Sequence, residues 1–124
     1  MGLEFDNHRP IYMQIMEHIY SRISRGDMIP GSKLPSVREF AVEAGVNPNT
    51  VSRTYMEMER ELVVVSKRGQ GTFVTEDIAV IEALRRDIAA KQVDTFLETM
   101  HNLGMDDETI LRLMKERMDD AKED

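Results

Sequence analysis

Residues 34–74 decide the fold, and three segments carry the information: L-P-S-V-R (34–38), A-G-V-N-P-N-T-V-S-R-T-Y (44–55) and K-R-G-Q-G-T-F-V (67–74). In chain order they predict a helix, a tight turn, a second helix and a short hairpin with a basic, glycine-rich tip. That order is the plan of a winged helix-turn-helix. We therefore expect a chain that reads double-stranded DNA, with one helix in the major groove.

The second helix of this pair has two faces of different chemistry. Asn47 is a good N-cap, and Pro48 suits the first helical turn. The face turned away from the core carries Asn49 and Arg53, flanked by Thr50, and these side chains can hydrogen-bond to base edges and phosphates. Taken alone this face also fits an ordinary solvated surface, but the neighbouring segments favour DNA. The predicted buried face consists of Val51, Tyr55 and Met58.

The hairpin that follows has the composition of a DNA-binding wing. A β-branched run predicts one strand at residues 62–66, and T-F-V-T predicts the returning strand at 72–75. Lys67 and Arg68 supply positive charge at the tip. The two glycines allow the backbone to approach a phosphate or enter a narrow minor groove. The alternative is a surface hairpin with an accidental basic turn.

Two further helices are predicted upstream. The first begins at Pro10 and ends near Gly26, with isoleucines repeating every four residues. The next is short, because Ser36 and Glu39 form a capping box and Gly45 can close the helix in the left-handed conformation. The residues that we expect these two helices to bury are Ile11, Tyr12, Ile15, Met16, Ile19 and Ile23 in the first, and Val37, Phe40 and Ala41 in the second.

After Thr75 the composition changes to helix formers. Residues 76–102 contain no proline or glycine, and their apolar stripe rotates by roughly a quarter turn, which predicts a break near 89–92 or a helix with two partners. Gly104 ends this helix, and D-D-E-T at 106–109 opens a last one. Two such helices cannot bury both apolar stripes alone, so we expect dimerisation; the alternative is packing against their own N-terminal domain. The predicted dimerisation residues are Ile81, Leu84, Ile88, Phe96, Leu97, Met100, Leu103, Ile110 and Met114.

These elements predict a mainly α fold with a small β-hairpin, in two parts. A winged helix-turn-helix domain covers residues 1–75, and a two-helix dimerisation region covers 76–124. Residues 1–75 hold nine basic and nine acidic side chains, whereas residues 76–124 hold seven and 14, so the whole formal charge of -7 lies in the C-terminal region. A neutral domain can still present a basic face to phosphates.

Length and composition exclude several classes. A chain of 124 residues makes one domain, or a small domain with an appendage. It has no cysteine, so it forms neither a disulfide framework nor a thiolate zinc site. The N-terminus lacks the pattern of a signal peptide, and no apolar run approaches the ~18 residues of a membrane span. We expect a complete small cytoplasmic protein with no cofactor and no membrane partner.

With these residues in place, the chain resembles GntR-family transcriptional regulators over residues 9–75. The shared motifs are R-P-I-Y-M-Q-I, G-x-x-x-P-G-S-K-L-P-S-V-R, G-V-N-P-N-T-V-S-R-T-Y and R-G-Q-G-T-F-V. The N-P-N segment, Tyr55 and the short C-terminal region resemble the YtrA subfamily, in which a helical pair serves dimerisation. The resemblance implies a homodimeric repressor, often of a transporter operon, without the larger ligand-binding domains of other branches.

The resemblance also implies DNA contacts residue by residue. It adds Arg38, Asn47, Ser52 and Gly69 to the residues that the outward face of the second helix and the wing already suggest. Leu62 departs from the family, because relatives usually have glycine there, and it predicts a different turn and an uncertain direction for the wing. A second departure, Val37 in place of glutamate, removes a charge near Arg38. The complete expected set is Arg38, Asn47, Asn49, Thr50, Ser52, Arg53, Lys67, Arg68 and Gly69.

In the expected complex a symmetric dimer places its two recognition helices in successive major grooves, about 34 Å apart, on an inverted repeat. The wings enter the adjacent minor grooves. The acidic tails lie away from the duplex, because like charges repel.

Other classes of function compete with this one. An enzyme is disfavoured because the three histidines lie in different elements and no catalytic carboxylate pair, Ser–His arrangement or phosphate-binding loop is visible. A protein–protein module that uses a winged helix without DNA would need an apolar patch on the outward face of the third helix.

A small effector of unknown identity is left open. His101, Asp94 and Glu98 share one helix face and could bind a metal, although solvated surface is the simpler interpretation. Four methionines could line an adaptable apolar pocket, although core or dimer packing is the simpler interpretation: Met100, Met105, Met114 and Met118.

Overall fold

The structure, a computed structural model, describes residues 3–122 and contains five helices and one antiparallel hairpin within them. Residues 1–2 and 123–124, at the outer ends of the two predicted domains, lie outside this description. The fold is mainly helical with a small hairpin, as predicted. The elements are α1 (Ile11–Ser24), α2 (Val37–Ala44), α3 (Pro48–Arg60), β1 (Val64–Lys67), β2 (Gly71–Val74), α4 (Ile78–Asn102) and α5 (Asp107–Lys122).

Helix α1 begins one residue later than predicted, with Pro10 as its N-cap. The buried Gln14 fixes the segment that precedes the helix. Its amide nitrogen donates to the carbonyl oxygens of Asp6 and Arg9 at 2.7 and 3.0 Å, and its Oε1 accepts from the Asp6 amide at 2.7 Å. One side chain therefore satisfies three polar groups of the N-terminal segment, which is how a glutamine can be buried on an otherwise apolar face.

Local capping sets the limits of α2. The Glu39 amide donates to Ser36 Oγ at 3.1 Å, and the Ser36 amide donates back to Glu39 Oε1 at 3.2 Å. This is the predicted capping box, and hydrogen bonds from the side chain and the backbone of Ser36 to the Glu39 carboxyl hold the pKa of Glu39 below its ordinary value. At the other end Gly45 takes φ 68, also as predicted, so the chain reverses into the turn of the helix-turn-helix.

Helix α3 begins with the predicted asparagine cap. Asn47 Oδ1 accepts from the Asn49 amide at 2.8 Å, and Pro48 occupies the first helical position. Four residues of α3 are buried against the rest of the domain, including the three that the sequence predicts: Val51, Thr54, Tyr55 and Met58. Their burial fixes which face of α3 is left to solvent.

The core forms where α1 and α2 pack on α3. The Tyr55 hydroxyl donates to the Pro35 carbonyl oxygen at 2.7 Å, and its ring meets Phe40 edge-on at 6.3 Å. Burial raises the pKa of Tyr55, so its hydroxyl keeps its proton and joins α3 to the segment before α2. Val37 is half-buried, contrary to the prediction, because the first residue of α2 lies at the edge of this core. The fully buried side chains of the domain include Ile15, Ile19, Val51, Thr54, Met58, Val63, Val64 and Val74.

The turn after α3 corrects the expectation for Leu62. The Leu62 amide donates to the Glu59 carbonyl oxygen at 3.0 Å, and the Val63 amide donates to that of Met58 at 3.0 Å. These are the two bonds of a Schellman motif, which normally has glycine at the position of Leu62. Leu62 adopts the left-handed conformation itself, with φ 66. The prediction of a different turn was therefore wrong.

The strands of the wing are displaced from their predicted positions. Because Leu62 lies in the turn, β1 begins at Val64 rather than at residue 62, and it pairs with β2 so that Val64 faces Val74 and Lys67 faces Gly71. The loop segment before α2 adds a third partner to this sheet. The Leu34 amide donates to the Thr72 carbonyl oxygen and the Val74 amide to that of Ser32, both at 2.8 Å.

The chain divides into two compact units between Arg86 and Asp87. Helix α4 is continuous from Ile78 to Asn102, so the predicted alternative of a break near residues 89–92 was wrong. A second Schellman motif at Gly104, with φ 82, ends α4. Asp106 then caps α5 by accepting from the Thr109 amide at 2.9 Å. Hydrogen bonds with the side chain and the backbone of Thr109 hold the pKa of Asp106 below its ordinary value. The assignment of functions to residues 1–75 and 76–124 stays a prediction.

Candidate nucleic-acid interface

The N-terminal half of α3 presents a polar surface. Asn47, Asn49 and Arg53 are exposed, and Thr50 and Ser52 are half-buried beside them. The helix N-terminus lies within the same surface, so the positive end of the helix dipole adds to the attraction for a phosphate. The five predicted α3 contacts therefore share the first two turns of one helix and its cap.

Arg53 is held in place by an aromatic ring. Its guanidinium carbon lies 3.9 Å from the centroid of the Tyr12 ring on α1. The Thr54 hydroxyl, next along α3, donates to the Thr50 carbonyl oxygen at 2.9 Å and lies 3.5 Å from the carbonyl oxygen of Tyr12. Sequence reasoning treated Tyr12 as part of the buried stripe of α1. It missed this contact because the two residues are 41 positions apart in the chain.

Arg38, the remaining predicted contact outside the wing, is exposed as the second residue of α2. Like Asn49 and Thr50 of α3, it stands in the first turn of a helix. A cation there is unfavourable for the helix itself, because the helix dipole repels it. Its presence at this position agrees with a role outside the helix.

The wing exposes two cations at its tip. Lys67 ends β1, and its ammonium lies 4.7 Å from the centroid of the Phe73 ring on β2. Arg68 and Gly69 follow in the turn, where Gly69 takes φ 76 and its α-carbon faces open space. The wing therefore offers two cations and a glycine that can approach another backbone closely.

Lys33 is a third cation of the wing that sequence reasoning missed. It forms a β-bridge with Phe73, and its Cε lies 2.8 Å from the point where a Cβ on Gly71 would stand. The stem of Lys33 therefore lies against the glycine, while the residue as a whole is exposed. The G-S-K-L-P loop gave no strand signal of its own, because its pairing depends on β2, almost 40 residues further on.

The predicted dimerisation residues fall into two groups. Ile81 and Ile110 are buried within the single chain. The others are half-buried or exposed, and Phe96 and Leu103 leave 37% and 69% of their surface open. Leu111, on the flank of the α5 stripe, is 67% exposed. An apolar surface of this kind is available to a partner.

The candidate metal site at Asp94, Glu98 and His101 gains no support from the geometry. Among residues 3–122, no three His, Asp or Glu side chains lie close enough to hold a metal ion. His101 Nε2 lies instead 2.6 Å from Asp107 Oδ1, so it joins the end of α4 to the start of α5. Within the same residues no helix combines the length and the apolar character needed to cross a membrane.

Comparison with known proteins agrees with this geometry. The bacterial regulatory proteins of the gntR family match residues 11–74, which span α1 to the end of β2. The chain belongs to the GntR family. The winged helix-turn-helix and the GntR resemblance inferred from the sequence are therefore confirmed.

Two relatives match the GntR chain along nearly its whole length. The uncharacterised HTH-type transcriptional regulator YhcF of Bacillus subtilis is 42% identical over 115 residues, which cover 93% of this chain and 95% of YhcF. The HTH-type transcriptional repressor YtrA of Bacillus subtilis is 36% identical over 115 residues, covering 91% of this chain and 88% of YtrA. Since both matches extend past the wing, the similarity includes the C-terminal helices and supports the YtrA subfamily.

Solved structures extend the comparison to DNA complexes. A GntR family transcriptional regulator from Listeria monocytogenes is 40% identical with a TM-score of 0.85, covering 90% of this chain and 98% of that one. The DNA-binding domain of AraR, solved in complex with operator ORR3, is 32% identical with a TM-score of 0.53, covering 60% of this chain and 88% of that one. The fold of the N-terminal unit is thus one that occurs bound to an operator in a relative.

Proposed function

We propose that this GntR-family chain is a repressor that binds an inverted-repeat operator as a homodimer. One observation carries the proposal: the same domain exposes Asn49 and Arg53 on α3 and Lys67 and Arg68 on its wing. Amide and guanidinium groups are the side chains that pair with adenine and guanine edges in the major groove. Repression is supported by the similarity to YtrA, which is named a repressor. A transporter operon as the target follows from the YtrA resemblance alone.

In this proposal the expected contacts divide into three kinds. Asn49, Thr50 and Arg53 read base edges, and Arg38 with the α3 N-terminus holds phosphates. Lys67, Arg68 and Gly69 act at the minor groove and its backbone. The acidic C-terminal region, which holds the whole net charge of -7, joins the two copies and lies away from the duplex.

The alternative, a protein–protein module without DNA binding, predicts an apolar outward face on α3. Of the large apolar side chains of α3, a helix described in full, Met56 alone is exposed. Arg53 and Arg60 stand one turn before and after it, so a continuous apolar patch is absent from this face. The charge pattern favours DNA.

The proposal is tested by recovering the operator. Purified protein is mixed with fragmented genomic DNA at low salt, bound fragments are sequenced, and the affinity for the enriched site is measured by gel shift. Arg53→Ala should lose ~1–3 kcal/mol of binding free energy and relax the base preference at one position of each half-site. Arg112→Ala, which removes an exposed arginine from α5, is the matched control and should bind like the wild type. Equal affinity of Arg53→Ala and wild type would sink the base-reading role.

A variant of the wing separates the contribution of phosphate contacts to DNA affinity from that of base contacts. Lys67→Ala should weaken binding to all sequences alike and flatten the salt dependence, because a phosphate contact carries no sequence information. Failure of the wild-type protein to retain any genomic fragment at low salt would favour the protein–protein module instead.

A further inference from the structure

The contact between Tyr12 and Arg53 joins two helices that the core holds rigidly. Tyr12 is half-buried in the first turn of α1, and Arg53 is exposed on α3. The distance of 3.9 Å from guanidinium carbon to ring centroid lies well inside the ~6 Å range of a cation–π contact. Ile15, three residues after Tyr12, and Val51, two residues before Arg53, are both fully buried, so the two helices pack against each other close to this contact.

The short distance between the guanidinium carbon and the ring centroid fits a guanidinium that lies with its face on the ring, which leaves its edges free. A guanidinium is planar, and its five N–H donors point outward in that plane. Bidentate pairing with the O6 and N7 atoms of guanine requires those edges, whereas stacking on a ring requires only the face. Arg53 can therefore remain on Tyr12 while it reads a base.

Arg53 has an aromatic neighbour rather than a carboxylate, which would compete with DNA for the N–H donors of the guanidinium. Arg9 illustrates the difference, since its two terminal nitrogens donate to Glu17 at 2.7 and 3.0 Å and these two donors are occupied. Among residues 3–122 no carboxylate lies within ion-pair distance of Arg53. The ring limits the rotamers of Arg53 without taking a donor, which lowers the entropy lost on binding.

We propose that Tyr12 is a specificity-determining positioning residue, which acts on DNA through Arg53 and holds its guanidinium stacked for base reading. The proposal rests on the function proposed above. It predicts that Tyr12 affects binding to the operator but not binding to unrelated duplex, because the second depends on phosphate contacts.

A double-mutant cycle on the recovered operator and on a scrambled duplex tests the proposal. Tyr12→Leu should weaken operator binding roughly threefold to tenfold and leave scrambled binding unchanged. Tyr12→Phe, which keeps the ring, should restore wild-type affinity. In an Arg53→Ala background, Tyr12→Leu should have no further effect on the operator.

Three results would overturn the proposal. The first is operator binding by Tyr12→Leu that equals the wild type, the second is equal weakening on both duplexes, and the third is the same loss of operator affinity with and without Arg53. Thermal melting of each variant identifies a loss that comes from unfolding, and Tyr12→Phe then still decides the role of the ring. If the wild-type protein enriches no fragment, the function proposed above is refuted. If the wild type binds its operator and Tyr12→Leu binds it equally well, only the role of Tyr12 is refuted.

Discussion

Leu62 carries a backbone cost that its side chain does not repay. Its φ of 66 is the left-handed conformation, which costs an L-residue with a Cβ ~1–2 kcal/mol relative to glycine. The side chain is 66% exposed, so little apolar burial compensates. The conformation persists because the Schellman hydrogen bonds and the burial of Val63 and Val64 impose it from both sides.

Leu62→Gly should therefore raise the free energy of unfolding by ~1 kcal/mol, since relief of the strain exceeds the added entropy of the unfolded chain. Urea denaturation of the wild type and the variant measures the change. Leu62→Ala is the control, because it removes the same side chain but keeps the Cβ, and it should show no gain. A glycine variant less stable than the alanine variant would mean that the turn is not strained.

His18 makes stability depend on pH near neutrality. Its Nε2 is buried and has no hydrogen-bond partner among residues 3–122. Desolvation, followed by the charges of Arg22 and Arg25, lowers the pKa of His18 from its ordinary 6.5. Because the folded protein takes up this proton less readily than the unfolded chain, the stability is complete above about pH 6.5 and falls as the pH drops below it.

The midpoint of urea unfolding should thus decrease between about pH 7.5 and about pH 5.5. His18→Gln should reduce this decrease, because it removes the titrating group. His8→Gln alters an exposed histidine and should leave the decrease unchanged. Identical pH profiles for His18→Gln and the wild type would assign the effect to other groups.

At the scale of elements, the sequence predicts those features that depend on residues close together along the chain. The capping box of Ser36 and Glu39 and the cap at Asn47 join residues two or three positions apart, so composition and spacing reveal them. The burial of α3 follows equally from its helical period. These local rules were enough to place the recognition helix and to identify its exposed face.

Contacts between distant elements were not predictable in this way. The bridge from Lys33 to β2 and the stack of Arg53 on Tyr12 depend on how the helices pack, which no short segment encodes. Leu62 is a third case, because its own preference argues against the conformation that its surroundings impose. The site was therefore predicted as a set of residues, whereas the partners that orient those residues were not.

The wing carries a prediction of its own about Lys33. If its ammonium contacts a phosphate, Lys33→Gln should reduce the slope of log K against log salt by about 0.9, the loss of one counterion-releasing contact. Gel shifts on the operator and on a scrambled duplex, over a range of salt, measure this slope. Lys91→Gln makes the same change in charge on an exposed α4 residue and should keep the wild-type slope. An unchanged slope for Lys33→Gln would restrict the wing contacts to Lys67 and Arg68.

For the whole molecule, the uneven charge is compatible with DNA binding if the N-terminal residues contact the duplex and the acidic C-terminal residues have another function. The N-terminal residues balance nine basic with nine acidic side chains, and the C-terminal residues carry the entire excess of acid. An acidic region on the duplex would cost affinity at low salt. The same region leaves Phe96, Leu103 and Leu111 partly or largely open, so dimerisation would cover apolar surface and give the acidic region a function.

Phe96 provides the test of dimerisation, because a glutamate there would bury a charge in the proposed interface. The wild type should sediment at twice its chain mass of 14.3 kDa, and Phe96→Glu should shift towards the monomer and lose affinity for the two-half-site operator. Thr95→Glu adds the same charge at the neighbouring exposed position and should remain dimeric. A monomeric wild type, or a dimeric Phe96→Glu, would favour the alternative in which the C-terminal helices serve their own chain. The operator would then have to be read by single domains, whose affinity does not depend on the spacing of half-sites.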